Sequence, residues 1–219
     1  MIEDRLLARL GWALPAMTIL LSTLAHIMSG EYRAFPFFIS EADFPGIQRI
    51  IFTTGFTLTG IVLIYMSWRL FQVNKNHTRW YWMHLSMLSG IFVGVNLIIM
   101  AFMDMYDHLE AHILSAVNIF YFGLAWGVLT HLAMKDASDK SKNLRYMSIS
   151  LGFISLIGMT YSINLGLIEN PEFVNGDWDM DKMQPWINWA APFEYLLATS
   201  FMLTLASFGA DINPIEEEE

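Results

Sequence analysis

Asp104-Met105-Tyr106-Asp107-His108-Leu109-Glu110-Ala111-His112 packs three acids and two histidines into nine residues. It lies between two long apolar runs, about 81–103 and 109–134. A bilayer core of about 30 Å takes roughly 20 apolar residues per helical crossing. A short polar stretch between two such runs therefore reads as a turn joining two membrane crossings. That reading decides the fold class: an all-α integral membrane protein.

Four more apolar blocks appear outward from this turn, at about 6–28, 50–68, 146–168 and 186–208. The sequence thus predicts six transmembrane helices in one domain, 1–212, followed by a disordered acidic tail, 213–219. The composition agrees: of 219 residues, 55% are hydrophobic and 15% charged, with a mean hydropathy of +0.42. Soluble domains are about 45–50% apolar and about 25% charged. Arg5 and Arg9 give the first block the look of a signal peptide. Its apolar run is too long for one and no small-residue cleavage site follows, so it is expected to be a retained helix.

Orientation follows from Lys and Arg in short loops. The N-terminus and the 69–79 and 135–145 loops carry nine: Arg5, Arg9, Arg69, Lys75, Arg79, Lys135, Lys140, Lys142 and Arg145. The opposite side carries three, Arg33, Arg49 and Lys182. Both termini are expected in the cytoplasm, with the 29–48 loop, the 104–112 turn and the 169–185 loop outside. Trp80, Trp82, Trp178, Trp186 and Trp189 fall near the interfaces, as an aromatic belt would place them. Pro36 and Pro45 bracket Ile39-Ser40-Glu41, which predicts extended backbone in the first outer loop.

The absence of cysteine removes disulfides and thiolate chemistry. A net charge of −9 argues against nucleic acid as a partner. No motif calls for a cofactor. His108 and His112, four apart, share a helix face and are weak candidates for a metal. The acids beside them have a plainer use at a helix N-terminus. Haem would need pairs such as His84 with His131 and His26 with His112. The two histidines of the fourth span are 19 residues apart, about 28 Å and about 100° of rotation, so they point at different neighbours. Interfacial histidines at helix ends are the better reading.

In a membrane the informative residues are polar side chains at depth. Glu194 lies eight residues into the sixth span, roughly 12 Å below its outer end. Pro192, just before it, is a place where the helix backbone can open. Asn96, Ser115, Asn118 and Asn164 fall in the outer half as well, and His112 lies nearer the surface. Interhelical hydrogen bonding is the structural alternative for each of them, with Glu194 bonded to Asn96 or Asn118. Gly90 with Gly94, and Gly123 with Gly127, suit close helix approach.

The pattern resembles the Frag1/DRAM/Sfk1 proteins, also described as the CWH43-like N-terminal domain. The resemblance rests on Pro36-Phe37-Phe38-Ile39-Ser40-Glu41, on Ala111-His112, and on Ala190-Ala191-Pro192-Phe193-Glu194-Tyr195 followed by Ser200-Phe201. It implies a multi-pass protein tied to lipid and membrane maintenance, with membrane lipids as partners, and no shared catalytic mechanism. It makes the first-loop motif, His112 and Glu194 candidates for one site.

Three functions are weighed, all in the cell membrane. The first is binding or regulating lipid through an outer-leaflet pocket built from Ser40, Glu41, Asn96, His112, Ser115, Asn118, Asn164 and Glu194. The second is a lipid hydrolase or acyltransferase, with His112 as general base oriented by Glu194 or by an acid of the 104–110 turn. The third is a proton- or ion-coupled transporter in which Glu194 titrates. Against the third, the inner half of the bundle is expected to lack matching acids. Whether Glu194 and His112 share a cavity is the deciding observation.

Overall fold

The computed structural model describes residues 3–76, 78–134, 137–175 and 179–212. The described residues form six long helices: α1 (Asp4–Ser29), α2 (Ile47–Asn74), α3 (Trp80–Phe102), α4 (Leu109–Ala133), α5 (Asp139–Glu169) and α6 (Met180–Ser207). A short α7 (Gly209–Ile212) follows, and 3-10 turns occupy Ile39–Asp43 and Pro171–Asn175. There is no strand among the described residues. Each apolar block read from the sequence lies on one helix. The helices α2 and α5 run several residues past those blocks into the basic loops. Trp178 and the acidic tail lie outside the described residues.

The helices α1 to α5 are long and apolar enough to cross a membrane. In α6 the apolar run is broken by Asp181, Lys182, Glu194 and two prolines, yet the helix continues through Pro185 and Pro192. Burial is inverted relative to a soluble protein. Met28, Ile50, Leu114, Ile154, Ile157 and Ile168 are exposed, whereas Ser22, Thr59, Ser67, Ser86, Thr130 and Ser200 are fully buried. Water would not tolerate that outer surface, whereas lipid would.

Each long helix packs on the next and α6 returns to α1, closing a ring. The α4–α5 seam is the thinnest joint in that ring. At the α2–α3 joint, a Cβ on Gly94 would meet the Gly60 carbonyl oxygen at 2.7 Å, and one on Gly60 the Gly94 oxygen at 2.6 Å. Backbone lies on backbone there, the small-residue approach membrane helices use. Gly60, five residues from Gly55 and outside the four-residue spacings, is thus the partner that Gly94 needs.

The first outer loop departs from its expectation. Residues Ile39–Asp43 form a 3-10 turn and not extended backbone. Phe38 ahead of the turn and Phe44 after it are extended. The Phe38 N–H donates to Glu41 Oε1 at 3.0 Å, and Glu41 N–H donates back to the Phe38 carbonyl at 3.0 Å. That reciprocal pair closes the turn between the two prolines.

Candidate functional site

Inside the ring is a cavity of about 400 Å³ to which all six helices contribute. Its walls are aliphatic and aromatic side chains such as Phe52, Leu63, Leu97 and Phe120. Trp126 and Leu205 line it farther along their helices from the polar end. That polar end carries Ser40, His112, Asn164 and Glu194. These four come from the 3-10 turn, the start of α4, the last third of α5 and the middle of α6. The ends of α4 and α5 and the 3-10 turn lie at one rim of the bundle, so the polar groups converge near one mouth.

Glu194 is held from across the chain. Its Oε2 accepts the Ile39 N–H at 2.6 Å. The donor is a backbone N–H that the 3-10 turn leaves free. The carboxylate forms no ion pair among the described residues. It keeps some accessible surface, and that surface faces the cavity. The expected partners Asn96 and Asn118 bond one another instead, Asn118 Nδ2 donating to Asn96 Oδ1 at 3.0 Å.

His112 has a fixed tautomer. Its Nδ1 lies 2.6 Å from the Met103 carbonyl oxygen. A carbonyl can only accept, so Nδ1 carries the proton and the neutral ring keeps a lone pair on Nε2. The orienting group is therefore backbone, neither Glu194 nor an acid of the turn. Asp104 instead folds that turn: its Oδ1 accepts the N–H groups of Tyr106 and Asp107 at 2.9 and 2.8 Å. No group of three or more His, Asp or Glu side chains converges to hold a metal among the described residues. The His26 ring is covered by Phe37 and Phe44, with centroids at 5.2 and 5.8 Å. It does not pair with His112 across an open space.

Behind the mouth, the outer loop is bound to the bundle by ion pairs. Arg33 bridges Glu41 at 3.3 Å and Asp181 at 3.2 Å. Arg49 lies between Asp43 at 3.7 Å and Asp104 at 3.5 Å. Burial pushes Glu41 above the usual carboxylate range, opposed by the Phe38 N–H and by Arg33. Burial pushes Asp43 up to about 7; Arg49 lowers it and Asp104 raises it further. Asp104 is also partly buried, yet the turn N–H groups and Arg49 bring it below the usual range. Tyr106 donates its hydroxyl to the Glu41 carbonyl at 2.9 Å, tying the 104–112 turn to the 3-10 turn.

The structure thus brings together four of the eight candidate residues. Glu41 sits one layer back, on Arg33. Asn96 and Asn118 join α3 to α4, and Ser115 is buried without lining the cavity. Through the Ile39 N–H the first-loop motif meets Glu194, so two of the stretches that carry the family resemblance adjoin. The sequence model of the Frag1/DRAM/Sfk1/Cwh43P N-terminal domain matches residues 6–215. The chain belongs to that family. Comparison with curated proteins and with solved structures returned no match. The domain and its apolar helices make it a multi-pass membrane protein.

Two features of this Frag1-type domain escape a reading along the chain. The Ile39 N–H is a backbone atom, and no residue type announces it. At the other end of the bundle, Arg145 is fully buried and paired with Asp211. Its Nε donates to Ser207 Oγ at 3.1 Å and its guanidinium lies 5.1 Å from the Phe208 ring centroid. The expectation that the inner half lacks acids is therefore corrected. Asp211 is there, matched by Arg145, because α7 turns back under the bundle.

Proposed function

We propose that this chain spans the membrane six times with both termini in the cytoplasm, and that it binds or regulates membrane lipid in the outer leaflet. The cavity carries the proposal: about 400 Å³, apolar along its length, with four polar groups near one mouth. Small-molecule sites are built this way, as concave apolar pockets of about 300–1,000 Å³ with a few placed polar groups. The Lys and Arg bias puts that mouth on the outer side. The sixth crossing is α6, whose only Asp, Glu, Lys, Arg or His beyond its first turn is Glu194, and that residue faces the cavity and not the lipid.

The test is native mass spectrometry of the purified chain in detergent, alongside Ala116→Trp, which fills the cavity from its wall. Lipid retained by the wild type and lost from the filled variant is the expected result. Lipid retained equally by both, or by neither, sinks the proposal.

A lipid-modifying reading is favoured by the tautomer of His112, whose Nε2 is left as a base on the cavity wall. Ester turnover in the purified chain that vanishes in His112→Ala is what that reading requires.

A further inference from the structure

The donor and acceptor balance of the cavity narrows what it can hold. No Lys or Arg lines it among the described residues. The nearest guanidinium groups, Arg33 and Arg49, are engaged outside it by Glu41, Asp181, Asp43 and Asp104. Of the lining hydroxyls, Thr59 donates to Gly55 O and Thr204 to Ser200 O, each within its own helix. The polar end therefore offers neutral donors, Ser40 and Asn164, and acceptors, the Glu194 carboxyl and His112 Nε2, but no cation. A phosphate placed there would be a desolvated anion with no cation to neutralise it, an arrangement proteins avoid. A head group that forms hydrogen bonds and carries no negative charge is complementary.

The path in is also visible. A cleft between α4 and α5 shares Tyr121, Leu156, Thr160 and Asn164 with the cavity, so the two adjoin across those side chains. It lies on the thinnest seam of the ring. Its rim is polar for a lipid-facing surface: Tyr121 is 56% and Tyr161 66% exposed, and Asn164 is exposed beside them. A side-chain amide facing hydrocarbon is costly unless something hydrogen-bonds it. A hydroxyl passing from the bilayer into the cavity would do so.

Resting on the lipid-binding reading above, we infer that the ligand is a lipid with a hydrogen-bonding, non-anionic head, admitted sideways between α4 and α5. The test uses the full chain in detergent and three probes with the same oleoyl chain: monooleoylglycerol, oleoyl lysophosphatidate and methyl oleate. Affinities come from native mass spectrometry. Monooleoylglycerol is expected to bind at least about tenfold more tightly than either of the others.

The route is read separately, in the wild type, with a monoacylglycerol carrying a diazirine in its chain. Crosslinks on 121–129 of α4 and 153–164 of α5 are expected. Lysophosphatidate or methyl oleate binding as tightly as monooleoylglycerol overturns the ligand class while leaving the lipid-binding reading intact. Crosslinks confined to other seams overturn the portal. Failure of all three probes to bind removes the reading on which the inference rests.

Discussion

The Glu194 carboxylate and the Ile39 N–H meet at 2.6 Å across 155 positions of chain. This bond docks the first outer loop on the middle of α6, and it fixes one wall of the cavity at the same time. In Glu194→Ala the Ile39 N–H loses its acceptor in a place with little water. A destabilisation of about 1–3 kcal/mol is expected. In Glu194→Gln the amide oxygen still accepts, and the loss should be smaller. Thermal unfolding in detergent, followed by tryptophan fluorescence, ranks the two; equal losses would show that the acceptor is unimportant.

Arg145 and Asp211 form a buried ion pair beneath the bundle. Removing one partner leaves the other charge buried and unmatched, which typically destabilises by about 3–5 kcal/mol. Arg145→Met and Asp211→Leu should each cause a loss of that size, and the double variant should recover most of it. A double-mutant cycle from the same unfolding measurement checks this. Additive losses would mean the pair does not interact.

Asp43 makes stability depend on pH. Its side chain is 1% exposed, and its folded pKa is raised from 3.8 to about 7. Between those values the folded chain keeps a proton that the unfolded chain has released. Raising pH through this window therefore destabilises the fold, with a slope approaching about 1.4 kcal/mol per pH unit. Asp43→Asn, which cannot ionise, should flatten the profile from pH 5 to 7 and be more stable than wild type at pH 8. A profile unchanged by Asp43→Asn would assign the dependence elsewhere.

Gly94 and Gly60 hold α2 and α3 at backbone contact. In Gly94→Ala the new methyl meets a carbonyl oxygen, which no side-chain rotation can relieve. The helices must separate, at about 1–3 kcal/mol. Gly30→Ala is the control with nothing near its Cβ, although its φ of +75° adds backbone strain. A melting-temperature drop in Gly94→Ala no larger than in Gly30→Ala would refute the close packing.

The helices were legible in the order of residues because hydrocarbon imposes a local rule: about 20 apolar residues in a row, each satisfying its own backbone. That rule set the six blocks, the turn at Asp104–His112 and the depth of Glu194. The same rule cannot say which face of a helix meets which neighbour, since lipid and core are equally apolar. Only the closed ring decided that Ser40, His112, Asn164 and Glu194 share a cavity while Asn96 and Asn118 satisfy one another. It also chose the backbone atoms, Ile39 N–H for Glu194 and Met103 O for His112, and folded α7 back to set Asp211 on Arg145. Such pairings depend on distances between segments far apart in the chain, and these exist only once the helices have packed.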